Sequence, residues 1–435
     1  MLKAHHPWIS IVIFLMVLGI HTNSKVVTPT DSTWFLHIAM SAIKERNLNL
    51  DEYAHLILVD DYRVYRKEGH IYSSYPVATA LIATPVLFLI DRYLFYFHEI
   101  DLFESMRGSS PSDLVWGIHK FISSLFIALT SILLYYIAVH SVSCTTAFFV
   151  VFVFAFCTSL WSSVTRILWS HSPVVFLVTL SLFIFTKSRL KLARLFLGTT
   201  ILMLACFFRP IMILPTICFT IYSTIHYRKI YQKTFFGIFF LVLLFGVYFL
   251  TKRHSPSYTH FFDFFDIKKL FLPFFKKDFY LILLGVILSP NRGLFFFTPV
   301  LVFSLYGIVL KVKERWFSGL DLTVLSAIIL YLIAICYPLR RYQWWAGYAF
   351  GPRFFSDIIP YFVYFLIPLV KEISFLPPKN KLLTSLFLFS IILSFYIHYR
   401  GANIYATWQW NWIPESIDQS PSRVWDWKDI QFLRK

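Results

Sequence analysis

An all-α bundle of about 11 to 13 membrane-spanning helices is the fold this sequence predicts, on three observations. About a dozen apolar runs approach or reach the roughly 20 residues a helix needs to cross the hydrocarbon core. The 435-residue chain is 57% hydrophobic and 14% charged, more apolar surface than a soluble domain can cover. Its basic residues gather in short clusters between the runs rather than on one continuous face. The net charge of +17 therefore reads as positive-inside loops and not as a nucleic-acid surface.

In chain order the candidate spans are residues 8–22, 75–91, 120–139, 146–163, 173–186, 195–208, 211–226, 235–250, 294–310, 321–338, 354–370 and 382–397, with a short re-entrant piece at 281–290. The first run, Trp8 to Ile20, has the charge pattern of a signal peptide, but His21-Thr22-Asn23-Ser24 offers no small-x-small cleavage site. It is expected to remain as an uncleaved helix. The clusters Lys187-Ser188-Arg189-Leu190-Lys191, Arg228-Lys229, Lys311 to Arg315 and Lys371 to Lys381 are assigned to the cytoplasm. The loops after residues 163, 208, 250 and 339, the first loop (23–73) and the tail (400–435) then fall outside. Parity fails by one crossing, which calls for a hairpin or half-span between residues 91 and 173. With no repeat and no soluble segment longer than about 50 residues, residues 1–435 read as one integral domain. The five cysteines lie in or beside apolar runs without metal or redox spacing, so they read as small buried hydrophobes.

The polar motifs lie between the spans. Thr28-Pro29-Thr30-Asp31-Ser32-Thr33-Trp34 opens the first loop, and Trp34, Phe35, Ile38, Ala39, Ala42 and Ile43 then recur at helical spacing. This predicts a helix lying flat at the interface with Asp31 at its N-terminus, as cap or as a chemically active carboxylate. Asp51-Glu52, Asp60-Asp61 and His70 follow in the same loop. They suit a solvated surface; a divalent metal is the secondary reading. Arg166 and His171 interrupt an apolar stretch, where an ionisable group needs a cavity or a partner.

Arg209, Arg292 and Arg353 each sit beside helix-breaking proline or glycine: Arg209-Pro210, Pro290-Asn291-Arg292-Gly293 and Gly351-Pro352-Arg353. The guanidinium fork matches phosphate oxygens, so three on one face favour an anionic headgroup site, with Arg340 and Arg341 behind them. The aromatic-rich loop from Leu339 to Phe350, with Tyr342-Gln343-Trp344-Trp345-Ala346-Gly347-Tyr348 at its centre, has the character of a sugar-stacking surface or an interfacial girdle. Asp357, one turn beyond Arg353, is expected to pair with it. Residues 251–280 carry six lysines and arginines among phenylalanines, the pattern of an outer amphipathic segment that holds anionic lipid. The chain has no Asp-x-Asp, phosphate-binding glycine loop, His-Glu-x-x-His or Gly-x-Ser-x-Gly.

In this order the motifs resemble the polytopic GT-C superfamily of glycosyltransferases, the class of protein O-mannosyltransferases and lipid A aminoarabinose transferases. The likeness runs over nearly the whole chain: Asp31-Ser32, Leu50-Asp51-Glu52, Gly69-His70 with Tyr72-Ser73 and Tyr75-Pro76, Trp169-Ser170-His171-Ser172-Pro173, Ser289 to Leu294, and Trp345-Ala346-Gly347 with Gly351-Pro352-Arg353. It is nearest to uncharacterised bacterial members. The resemblance implies an inverting transfer of a sugar from a polyprenyl-phosphate donor in the membrane to a hydroxyl of a glycan, lipid or protein, at the outer face of the bacterial cytoplasmic membrane. It places the general base at Asp31. The family often pairs two acids there, whereas Ser32 follows here, against a metal-bridged scheme, and no cofactor is expected. Asp51, His70, Tyr72, His171, Arg209, Arg292, Trp345, Tyr348 and Arg353 are the expected substrate-binding residues. The rival classes are a multi-span lipid or glycan transporter without chemistry, and an envelope scaffold that docks a partner on its tryptophan-rich tail.

Overall fold

The computed structural model describes residues 7–108, 112–187, 192–226, 277–336, 343–375 and 381–435, with scattered positions between 229 and 246. Most of the expected 235–250 span and of the 251–280 segment, and both Arg340 and Arg341, lie outside the described residues. What is described is an all-α bundle: α1 (Pro7–Asn23), α2 (Phe35–Lys44), α3 (Ala78–His98), α4 (Leu102–Arg107), α5 (Asp113–Ala138), α6 (Cys144–Phe156), α7 (Ser159–Ser162), α8 (His171–Phe185), α9 (Leu192–Phe208) and α10 (Ile213–His226), then α11 (Lys277–Leu288), α12 (Leu294–Phe297), α13 (Val302–Lys313), α14 (Gly319–Cys336), α15 (Ile359–Phe375), α16 (Lys381–Asn403) and α17 (Tyr405–Gln409). Among the described residues six helices are long and apolar enough to cross a membrane: α3, α5, α6 continued through α7, α14, the Arg353–Ile373 stretch and α16. The chain is an integral membrane helical bundle.

Helix pairing follows from which apolar faces can be covered. α1 and α5 run antiparallel, Ser10 Oγ donating to Tyr136 Oη (3.0 Å) at one end and Lys120 Nζ to the Ser24 carbonyl (3.0 Å) at the other. α13 packs on α15 through a glycine: a Cβ on Gly307 would come within 1.8 Å of the Phe365 carbonyl oxygen. Hydroxyls inside the spans donate to the carbonyl one turn back, as Thr130 and Ser131 do to Phe126 and Ile127, since lipid supplies no acceptor.

The first loop folds as a unit. β1 (Val64–Lys67) and β2 (His70–Ser73) form an antiparallel hairpin closed by Glu68 and Gly69, both at positive φ (53° and 85°). α2 departs from the expectation of a helix lying on the bilayer. Seven of its residues, Phe35 to Ser41, are buried in a core shared with α3 and with Val115, Ile118, Ile122 and Phe126 from the first half of α5. Protein, not lipid, covers it.

The same core explains the parity problem. α3 begins after Tyr75, beside Asp31, and Asp91 near its far end pairs with Lys44 of α2 (3.3 Å). The chain then returns to the first loop, where the Arg107 carbonyl lies 2.8 Å from His55 Nε2 and Phe103 meets the ring of Tyr53. Both ends of α3 therefore stay on the Asp31 face, and α5 starts from that face. The helix that returns to the loop it started from is thus α3.

Alanine is the better helix former by about 1 kcal/mol, yet Gly307→Ala will lower stability by about 1–3 kcal/mol because backbone must move to admit the methyl, read as the melting midpoint in detergent. His37 is fully buried against Trp34 and Tyr53, and burial lowers its pKa from 6.5 to about 4. The unfolded chain takes up that proton first, so stability present above pH 6.5 is lost as pH falls towards 4, by up to about 3 kcal/mol. His37→Gln should flatten the melting profile between pH 7 and 4.5.

Candidate functional site

Asp31 sits in the tight turn that precedes α2, held by Thr33 N–H and Thr33 Oγ1 donating to the Thr30 carbonyl (3.1 and 2.7 Å). It does not cap α2: the cap residue is Trp34, with no side-chain bond to the helix N-terminus. The carboxylate turns the other way. Tyr62 Oη donates to Oδ1 (3.1 Å), and Oδ2 lies 3.5 Å from Nη2 of Arg353. Around them is a cavity of about 450 Å³. Thr30, Tyr62 and Tyr75 wall it from the first loop, Gln343, Gly347, Tyr348 and Arg353 from the segment before α15, and Asp418 from the C-terminal tail.

One donor of Arg353 is unspent. Its guanidinium lies over the Trp169 ring (4.3 Å to the centroid), and its Nε has no hydrogen-bond partner although it is buried. A buried guanidinium with unsatisfied donors is costly unless a ligand supplies acceptors.

The other two expected arginines face elsewhere. Arg292 uses all five of its N–H groups internally, on the carbonyls of Trp345, Asn291 and Gly347 and on the side chains of Gln431 and Asn411, at 2.7 to 3.2 Å. It lies over the Trp410 ring and clamps two loops to the tail; it has no N–H left for a phosphate. Arg209 Nε pairs with Asp357 Oδ2 (2.6 Å), and its Nη1 lies 3.3 Å from His171 Nε2. His171 Nδ1 meets Asp357 Oδ1 (2.7 Å), and Tyr331 donates to Oδ2 (2.6 Å) and to the Phe354 carbonyl (3.0 Å). The expected Asp357–Arg353 pair does not form. Asp357 instead anchors the turn Arg353–Ile358 from below, so His171 and Arg209 position Arg353 rather than line the cavity.

Asp51, His70 and Tyr72 also lie outside the cavity lining. Asp51 takes His70 Nδ1 (2.6 Å) and the Ile71 N–H (2.8 Å), and Tyr72 packs on Tyr65 across the hairpin, so the three brace the first loop. Trp345 is buried, and its Nε1 donates to Asp418 Oδ1 (2.8 Å), while Tyr348 reaches the cavity and bonds Ser416 (2.9 Å). Arg166 lies outside the cavity: its Nη2 donates to the His21 carbonyl (2.6 Å) and Thr165 Oγ1 (2.9 Å), while Nε and Nη1 are buried without a hydrogen-bond partner. Among the described residues no group of three or more His, Cys, Asp or Glu gathers as a metal site.

Of the cavity's residues, Asp31, Tyr348 and Arg353 are singled out by the sequence, Tyr62 and Gln343 belong to its candidate motifs without a role of their own, and Asp418 is missed. Nothing in the tail's sequence ties Asp418 to residue 31; tertiary folding does. The tail is packed against the bundle. Trp410, Ile417 and Val424 share a buried cluster with Trp345, and Gln431 bonds the carbonyls of Ala349 and Thr407.

Searches among known proteins found no family model that matches this chain and no curated protein that matches it.

Arg292→Ala strands the carbonyls of Trp345, Asn291 and Gly347, so it is expected to cost on the order of 3 kcal/mol and to release the tail. Limited proteolysis within residues 405–435 is the readout, with Arg292→Lys nearly as susceptible because an ammonium cannot reproduce the planar fork.

Proposed function

We propose that this chain is a membrane glycosyltransferase of the GT-C type, which moves a sugar from a polyprenyl-phosphate donor to an acceptor hydroxyl at the outer membrane face. One observation carries the reading: Asp31 and Arg353, from opposite ends of the chain, meet 3.5 Å apart in a cavity of about 450 Å³. A carboxylate beside a guanidinium with a donor to spare is the equipment this chemistry needs. The departing lipid phosphate is a stabilised anion and requires no general acid, so one base for the acceptor is enough.

In this mechanism the donor phosphate engages Arg353, whose Nε has no other partner, and so draws the guanidinium from Asp31. Asp31 Oδ2 is then open to the acceptor hydroxyl, while Tyr62 holds Oδ1. The acceptor oxygen bonds to the anomeric carbon as the carbon–oxygen bond to phosphate breaks. The hydroxyl proton passes to Asp31, and the lipid phosphate leaves with the electron pair. A single displacement inverts the anomeric centre. Tyr348 offers a ring against a sugar face, and Asp418, oriented by Trp345, offers an acceptor for sugar hydroxyls. The outer-face assignment rests on the basic loops at the opposite helix ends.

Asp31→Asn is expected to abolish transfer with purified protein and a polyprenyl-phosphate sugar, while yield and melting midpoint are unchanged. Arg353→Ala should slow it about 100-fold, the equivalent of roughly 3 kcal/mol in the barrier. Turnover retained by Asp31→Asn would reject the assignment.

A further inference from the structure

A second cavity, of about 410 Å³, opens on the face opposite Asp31. It lies among helix ends: Ile137 closes α5, Phe185 closes α8, Lys311 is in the last turn of α13, Leu320 opens α14, and Ile367 and Lys371 belong to the far half of α15. The site residues described above sit at the other ends of these elements, as His171 does on α8 and Arg353 before α15.

The charges of this cavity do not balance. Asp321, at the start of α14, accepts Lys311 Nζ (2.5 Å) and Tyr364 Oη (2.7 Å) on Oδ1, and the N–H and hydroxyl of Ser318 (2.7 Å each) on Oδ2. Its charge is thereby spent on Lys311, and its oxygens are filled. Lys371 is the second ammonium of the lining. It stands over the Trp316 ring, Nζ 4.7 Å from the centroid, and among the described residues no carboxylate pairs with it. A lysine that merely snorkels at a bilayer edge needs no cavity beside it. Here the ammonium borders a chamber lined both by polar groups, Ser141 and His140 among them, and by the apolar side chains of Phe185, Leu320 and Ile367.

We propose that this cavity binds a phosphate ester, with Lys371 as its cation and the apolar wall receiving the ester's carbon chain. Trp316 fixes the ammonium in place, and the Lys311–Asp321–Tyr364 network keeps the rim rigid. Helix ends lie at headgroup depth, where a lysine attracts lipid phosphate; a soluble phosphate ester would satisfy the same groups. The site is independent of the transfer proposed above, and its test involves no turnover.

The experiment uses the full-length protein, purified and delipidated in detergent. Phosphatidylglycerol binding is titrated by native mass spectrometry for the wild type, Lys371→Ala and Lys381→Ala, the last neutralising an exposed lysine outside the cavity. Melting is followed in parallel with glycerol 3-phosphate. Lys371→Ala should weaken phosphatidylglycerol about fivefold and Lys381→Ala should leave it unchanged, which identifies a lipid occupant. A melting rise with glycerol 3-phosphate in the wild type but not in Lys371→Ala identifies a soluble ester. Equal lipid affinity in all three proteins with no melting rise, or an equal loss in both variants, overturns the site.

Discussion

A carboxylate inside a membrane bundle has no water to lean on, so it must be paired from several sides or not be there. Asp357 meets that demand by drawing in His171 from α8, Arg209 from the end of α9 and Tyr331 from α14. Three helices that are distant in sequence are thus registered against one turn. That turn begins at Arg353. The guanidinium that borders the Asp31 cavity is therefore placed by a buried ion cluster that it does not pair with; it faces Asp31 through Nη2 and keeps Nε without a partner.

A second knot closes the cavity from the side. Arg292 binds backbone carbonyls of the 345–347 loop together with Asn411 and Gln431 of the tail, and Asn291 accepts the Gln431 N–H. Every donor of the fork has an acceptor, so the charge is solvated by the protein itself. The tail becomes a wall rather than an appendage, and Asp418 enters the site with it. Arginines with similar punctuation in the sequence have opposite duties here: Arg292 and Arg209 hold the structure, and Arg353 is open.

The legibility of the site divides along the same line. The turn around Asp31 could be read because a polar, proline-bearing segment directly after a span has few places to go. The arginines could be recognised as special because charge beside a helix breaker at membrane depth is rare. Which of them faces the cavity could not be read, since that depends on whether nearby carbonyls and carboxylates exhaust the guanidinium's hydrogen bonds. Asp51 and His70 looked equally functional and turned out to satisfy each other and the hairpin backbone. α3 misled for a related reason. Length and apolarity state what a helix can cross, while the Lys44–Asp91 pair and the return of α4 to Tyr53 decide that both its ends share one face.

By itself, the sequence determined the solvent and the class of fold, because an excess of apolar runs leaves the backbone no option but helices that satisfy their own hydrogen bonds in lipid. It also determined which short segments are polar enough to carry a site. Only the tertiary structure decided which charges neutralise one another and which remain exposed to a ligand. Pairing acts over a few ångströms in space and is indifferent to separation along the chain, so residues 31, 353 and 418 share a cavity that no local pattern records.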